Sequence, residues 1–203
     1  MNTASAIAFD TAEREYNDAW NAPSNTRFEL PPVDVNKVLK ERYRVSPGQI
    51  LTRAMIWDME TKKAWDPLTY IPYVVSQARS WGRTTLRDGS ARFWRSSLQR
   101  GWITSEEGRV LEDVFVSDAK QTIYFLGRPQ MVEESGNTLV ASPLPTPLSC
   151  PTRCRWVGAG AFEPLGHRPS DGRAGPALLR AVQADGPRRI AAGVHRDLHR
   201  TGP

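Results

Sequence analysis

The chain of 203 residues carries a formal net charge of +5 and a sequence pI near 9.5, and 39% of it is hydrophobic. That length suits one domain, and the low apolar content predicts that part of the chain is not packed. No stretch approaches the roughly 20 apolar residues of a membrane span, the start lacks the basic n-region of a secretory signal, and Cys150 and Cys154 alone cannot build a disulfide scaffold, so a soluble protein of the reducing cytoplasm is expected.

Two kinds of text divide the chain. Residues 1–9 read as a flexible start. Residues 10–140 mix Lys with Arg, hold six of the seven Trp and show clear periodicities; they predict a single α+β domain. Residues 141–203 have no Lys but nine Pro and nine Arg, and Trp156 and Phe162 are the only large aromatics there. Such a segment buries too little apolar surface to offset its ordering entropy, so a disordered Arg/Pro/Gly-rich tail is expected. Its composition also matches an out-of-frame extension of a GC-rich gene. Within it a short helix over 177–184 would have little to pack against. Cys150, Cys154, His167 and His195 could be drawn together as a zinc site, but their spacing matches no finger or knuckle, and neither metal nor cofactor is expected.

In chain order, Asp10–Trp20 predicts a helix with Asp10 as its cap and Tyr16 and Trp20 on one face. Pro23, Pro31 and Pro32 then mark an extended connection. Val33–Val45 places Val35, Val38, Leu39 and Tyr43 at helical spacing behind Asp34 as cap. Gln49–Trp65 is either one helix or a helix followed by a strand at 54–59. Asp66-Pro67 is a helix entry, and Pro72 either kinks the helix begun there or marks an extended 70–75 strand.

Over Thr84–Arg100, Leu86, Ser90, Phe93, Trp94, Ser97 and Leu98 step by three and four, which predicts a helix with Thr84 as cap and Gly101 as stop. Asp88-Gly89 is the alternative, a turn that would shorten the helix to Ser90–Arg100. Val110–Val116 and Thr122–Leu126, joined by the polar Ser117–Gln121, read as a hairpin that Gly127-Arg128-Pro129 closes.

Function is expected where charge gathers. Arg79, Arg83, Arg87, Arg92, Arg95 and Arg100 fall within 22 residues against one acid, Asp88, interleaved with Trp81, Phe93, Trp94 and Trp102. Arginine arrays neutralise phosphates and read guanine edges, so DNA or another polyanion is the expected partner. The order helix, Leu98-Gln99-Arg100-Gly101-Trp102-Ile103, then hairpin resembles winged helix-turn-helix DNA-binding domains over residues 68–126. That resemblance implies that Thr84, Thr85, Arg87, Ser90, Arg92 and Arg95 face DNA, with Lys120 near the wing tip.

A second resemblance, to the ParB/sulfiredoxin fold, rests on the run Asp88-Gly89-Ser90-Ala91-Arg92 after a strand. It implies a phosphate site at Asp88, Gly89, Ser90 and Arg92 before a helix N-terminus, with Ala91 where that family carries His, and an enzyme acting on DNA or a nucleotide. Residues 10–140 contain no His and no Cys, which excludes imidazole and thiol catalysis there. The carboxylate pairs, Glu112/Asp113 among them, point to opposite faces if they lie on strands. A third reading is a protein-interaction module using a Trp/Arg surface that includes Trp57, Trp65 and Trp81, since both residue types concentrate at binding hot spots.

Overall fold

The computed structural model describes residues 8–23, 25–29, 32–44, 46, 48–100, 107–142, 152–156 and 161–169. Its elements run α1 (Phe9–Asn21), β1 (Asn25–Glu29), β2 (Val33–Asp34), α2 (Val35–Arg42), α3 (Arg53–Trp65), α4 (Pro67–Tyr70), β3 (Val75–Thr85), β4 (Ala91–Arg100), β5 (Glu107–Ser117), β6 (Thr122–Gly127), β7 (Gln130–Val132), β8 (Thr138–Val140), β9 (Thr152–Trp156) and β10 (Ala161–Pro169). The fold is α+β. An eight-stranded antiparallel sheet runs in the order β1-β10-β9-β6-β5-β4-β3, with β2 also on β10, and β7-β8 forms a small separate hairpin.

Layering explains the residue pattern of the central strands. On one face Phe93, Val114, Val116, Ile123 and Phe125 bury against Ala64 of α3, with Trp57 and Trp65 beside them. On the other, Phe115, Tyr124 and Leu126 bury against Phe9, Ala12 and Tyr16 of α1. Both sides of β5 are thus covered, and Val110–Ser117 is buried without interruption. A strand covered on both faces reads as a run rather than as an alternation. A further cluster of Val35, Leu39, Leu51, Ile56 and Met59 fastens α2 to α3. None of the described helices is long and apolar enough to cross a membrane.

Several local readings hold. The hairpin at 110–126 is β5-β6, joined through Asp118–Gln121. Asp34 caps α2 by accepting from the Lys37 amide at 3.0 Å, and Asp66 caps α4 by accepting from the Thr69 amide at 3.2 Å. α3 is one helix capped by Thr52, with no strand at 54–59. Pro72 lies in the turn between α4 and β3, neither kinking a helix nor sitting in a strand. In the 141–203 stretch, expected to be unpacked, residues 152–156 and 161–169 pair into the sheet as β9 and β10. Gly101–Ile103, residues 1–7, Cys150, His195 and the short helix expected at 177–184 lie outside the described residues.

The main correction concerns Thr84–Arg100. It is not a helix: β3 ends at Thr85, Leu86–Ser90 turns, and β4 begins at Ala91. Gly89 holds φ +80°, a left-handed position that suits glycine, and the Ser90 amide donates to Asp88 Oδ1 at 3.0 Å. The three-and-four spacing of Leu86, Phe93, Trp94 and Leu98 coexists with a period-two pattern, and the latter wins. Long cross-strand partners decide this: β4 pairs residue by residue with β5 from Ala91↔Val116 to Arg100↔Glu107. The described part of 68–126 therefore has no recognition helix of the winged type.

Candidate functional site

The expected DNA-facing residues do not form one surface. Arg95 lies opposite Glu112 across the β4-β5 ladder, and the pair is 6% and 8% exposed. Its Nε donates to Glu112 Oε2 at 2.8 Å, its second terminal nitrogen donates to the same oxygen, and the other donates to the Ala64 carbonyl at 2.8 Å. Arg92 emerges on the opposite face and grips Asp113 bidentately, with both contacts at 2.8 Å. Asp113 also accepts from Arg128, which is held by Glu15 of α1. Lys120 bridges Asp10 at 3.0 Å and Glu13 at 2.7 Å, and these carboxylates raise its pKa above the ordinary lysine value, chiefly through the hydrogen bond to Glu13. Arg92, Arg95 and Lys120 are thus spent on intramolecular carboxylates. The expectation that Glu112 and Asp113 diverge to opposite faces holds, and it is what separates the two arginines.

The Asp88–Arg92 phosphate site is also corrected. Ser90 is buried, its hydroxyl and amide both donate to Asp88 Oδ1, and Asp88 Oδ2 accepts from the Phe9 amide at 3.1 Å. Phe9 is the first residue of α1, whose own N-cap residue Ala8 has no capping side chain. Asp88 therefore caps α1 from 79 residues away, and the anion at that helix start is the protein's own carboxylate. The Ser90 hydroxyl, followed by the two amide donors, holds the Asp88 carboxyl below its ordinary pKa. Arg92 is turned towards Asp113, so the constellation leaves no donor set for a phosphate.

Thr84 and Thr85, at the end of β3, and Arg87, in the turn that follows, remain exposed. Upstream of them the β3-β4 register slips between Trp81 and Thr84. Gly82 occupies the slip at φ +63°, and a Cβ there would stand 2.7 Å from two carbons of the Trp94 ring. Only glycine lets the strand pass over Trp94 at this distance. The bulge re-aims the following residue. Arg83 thereby lies over α3's C-terminal end, its guanidinium carbon 5.4 Å from the Trp65 ring centroid and 6.0 Å from that of Phe93. The two rings meet edge to face at 5.0 Å. The Ser80 hydroxyl donates to the Trp65 carbonyl at 2.6 Å, fixing the helix end to β3.

Around Arg83 opens a cleft of about 300 Å³, lined by Thr61, Lys62, Trp65, Asp66, Tyr70 and Arg83. That volume lies at the small end of ligand sites. The lining combines two aromatic rings with two cations. Lys62 is paired at 2.6 Å with Asp58, one turn earlier, whereas no carboxylate among the described residues forms an ion pair with Arg83. A cation over a ring at a solvated site gains only about 0.5–1 kcal/mol, so Arg83 can swing to a stronger anionic partner. Arg83 belonged to the arginine array legible in the sequence. Trp65 appeared among the tryptophans without an assignable face, Asp66 only as part of a helix entry, and Lys62 and Tyr70 gave no functional signal, because nothing local shows that α3, α4 and the β3 bulge converge. Among the described residues no group of three or more His, Cys, Asp or Glu could hold a metal ion. No family model matches the chain, and no curated protein matches it in sequence.

Proposed function

We propose that the protein binds single-stranded nucleic acid, taking a nucleotide unit in the cleft between α3, α4 and the β3 bulge. The observation that carries this reading is Arg83: an exposed guanidinium with no ion-pair partner among the described residues, poised over Trp65 in a concave site. Single-strand binders combine aromatic platforms, on which bases stack, with cations that follow the phosphates. In this reading a base stacks against Trp65 and Tyr70 while Arg83 leaves the ring for the adjacent phosphate, with Lys62 in support. Thr85 and Arg87 lie beyond Arg83 along the same chain segment and extend the contact to the next phosphate. A duplex, whose bases are already stacked, cannot use the cleft in this way. Such a ligand suits a cytoplasmic protein.

Fluorescence anisotropy of a labelled ten-nucleotide single strand, measured at two salt concentrations, tests this. The expected result is salt-sensitive binding, weaker for a duplex of the same sequence. Arg83→Ala weakens it and lowers the salt slope by somewhat under one unit, about 0.7 per phosphate contact. Competition with a free mononucleotide distinguishes a nucleotide pocket from a strand-binding surface: displacement at equal nucleotide concentration means that the pocket alone suffices. Absence of single-strand binding at low salt, or an Arg83→Ala protein that binds unchanged, removes this function.

A further inference from the structure

We infer that Asp66 selects among the bases, favouring those that present an exocyclic amino group over thymine and uracil; the inference rests on the nucleotide reading of the cleft. Asp66 is the lining carboxylate in a site otherwise built from cations, rings and a hydroxyl. Its structural duty is to cap α4, and for that it uses Oδ1, which accepts from the Thr69 amide at 3.2 Å. No described donor engages Oδ2. Capping alone does not require a carboxylate, because Asn, Ser or Thr would serve α4 comparably. A second negative oxygen in the same cleft as Arg83 also lowers the cleft's attraction for phosphate, a cost that a donor on the ligand offsets.

The chemistry of the bases supplies that donor. Cytosine, adenine and guanine carry amino groups, and an aspartate accepting from the cytosine N4 amino group is one of the standard direct contacts. Thymine and uracil offer only N3–H, flanked on both sides by carbonyl oxygens, and those oxygens meet the carboxylate with like partial charge. With the base stacked on Trp65 and its phosphate turned to Arg83, its hydrogen-bonding edge faces the remaining polar wall, where Asp66 stands. Burying an unmatched carboxylate against a carbonyl is the repulsive element that makes such a site discriminate.

Anisotropy of ten-residue oligo-dC and oligo-dT strands, both unstructured pyrimidine runs, reads the preference directly with the full chain. The wild-type protein is expected to bind oligo-dC about tenfold more tightly, the lower part of the range for a good base contact. Asp66→Asn keeps the cap and the fold, which its thermal transition verifies, but can turn an amide N–H towards the ligand, so the preference falls to near unity or reverses. Asp66→Ser keeps the cap but cannot reach the base, and it too loses the preference. Equal wild-type affinity for the two strands, or an Asp66→Asn protein that still prefers oligo-dC, overturns the inference while leaving the cleft's function standing. Failure to bind either strand overturns both.

Discussion

Replacing Arg95 by Met separates a buried structural arginine from a surface phosphate contact. Arg95 and Glu112 lie on adjacent strands at 6% and 8% exposure, with two guanidinium nitrogens on one carboxylate oxygen and a third on the Ala64 carbonyl. Met fills much of the same volume, so the loss is electrostatic rather than a cavity. Removing one partner of a buried pair typically costs ~3–5 kcal/mol, because the other charge stays buried without compensation. The freed Ala64 carbonyl accounts for about 1 kcal/mol or more of that, as a buried acceptor that has lost its donor.

Against a total stability of about 5–15 kcal/mol, this is a large fraction. With a urea m-value of about 2 kcal/mol/M, Arg95→Met should lower the unfolding midpoint by about 2 M at unchanged m. The double variant Arg95→Met, Glu112→Leu removes the orphan carboxylate as well. An apolar pair of similar volume is often neutral, so it should recover most of the loss, to within about 1 M of the wild type. Arg100→Met serves as the control, since Arg100 is exposed and its Glu107 contact is 3.9 Å long; exposed pairs of this kind contribute at most about 1 kcal/mol. If Arg95→Met moved the midpoint no further than Arg100→Met, or if the double variant were less stable than the single, the buried-pair account would be wrong.

The remaining predictions concern the β3-β4 turn, which caps α1, and the Gly82 bulge beside the cleft. Asp88→Ala should cost about 0.5–2 kcal/mol, the usual worth of a helix cap, and amide hydrogen exchange should localise the loss to the first turn of α1. Because folding holds the Asp88 carboxyl below its ordinary pKa through Ser90, its contribution is complete above the unfolded value near 4 and is lost as pH falls through the lower folded value. In urea titrations between pH 5 and 2, Asp88→Asn should flatten that acid limb; an unchanged limb would show that the cap carries no charge-dependent stability. Gly82→Ala should cost about 1–3 kcal/mol through its left-handed φ, and more if Trp94 cannot move from the new methyl group. It should lower Tm by several degrees and, by disturbing the bulge, weaken single-strand binding in parallel; a fully stable Gly82→Ala would mean that the bulge relaxes freely.

How much of this was legible depended on the range of the interaction. Local chemistry was read correctly where a residue acts on its own stretch of backbone: Asp34 caps the helix it precedes, Asp66-Pro67 opens one, and the 117–121 turn joins two β-rich runs. The same reasoning assigned Asp10 as the cap of α1, where the donor instead finds Asp88 from the β3-β4 turn. Over Thr84–Arg100 two periodicities coexist, and only the long-range β5 ladder chooses between them. Its Glu112 and Asp113 take Arg95 and Arg92 in opposite directions and dissolve an arginine array that looks continuous in sequence.

The sequence by itself determined the α+β class, the helices near residues 10–20 and 33–45, the β5-β6 hairpin, and the arginine-rich character of residues 79–100. It could do so because composition, caps and periodicity act within a turn or two of chain. Tertiary structure alone decided which arginines are free. Charge on a side chain is fixed by its covalent chemistry, but its availability depends on whether a carboxylate distant in sequence is brought within hydrogen-bond reach. Arg92 and Arg95 meet such carboxylates through the strand register. Arg83, turned aside by a one-glycine bulge, meets the face of Trp65 instead, and that difference makes it the residue on which the proposed function rests.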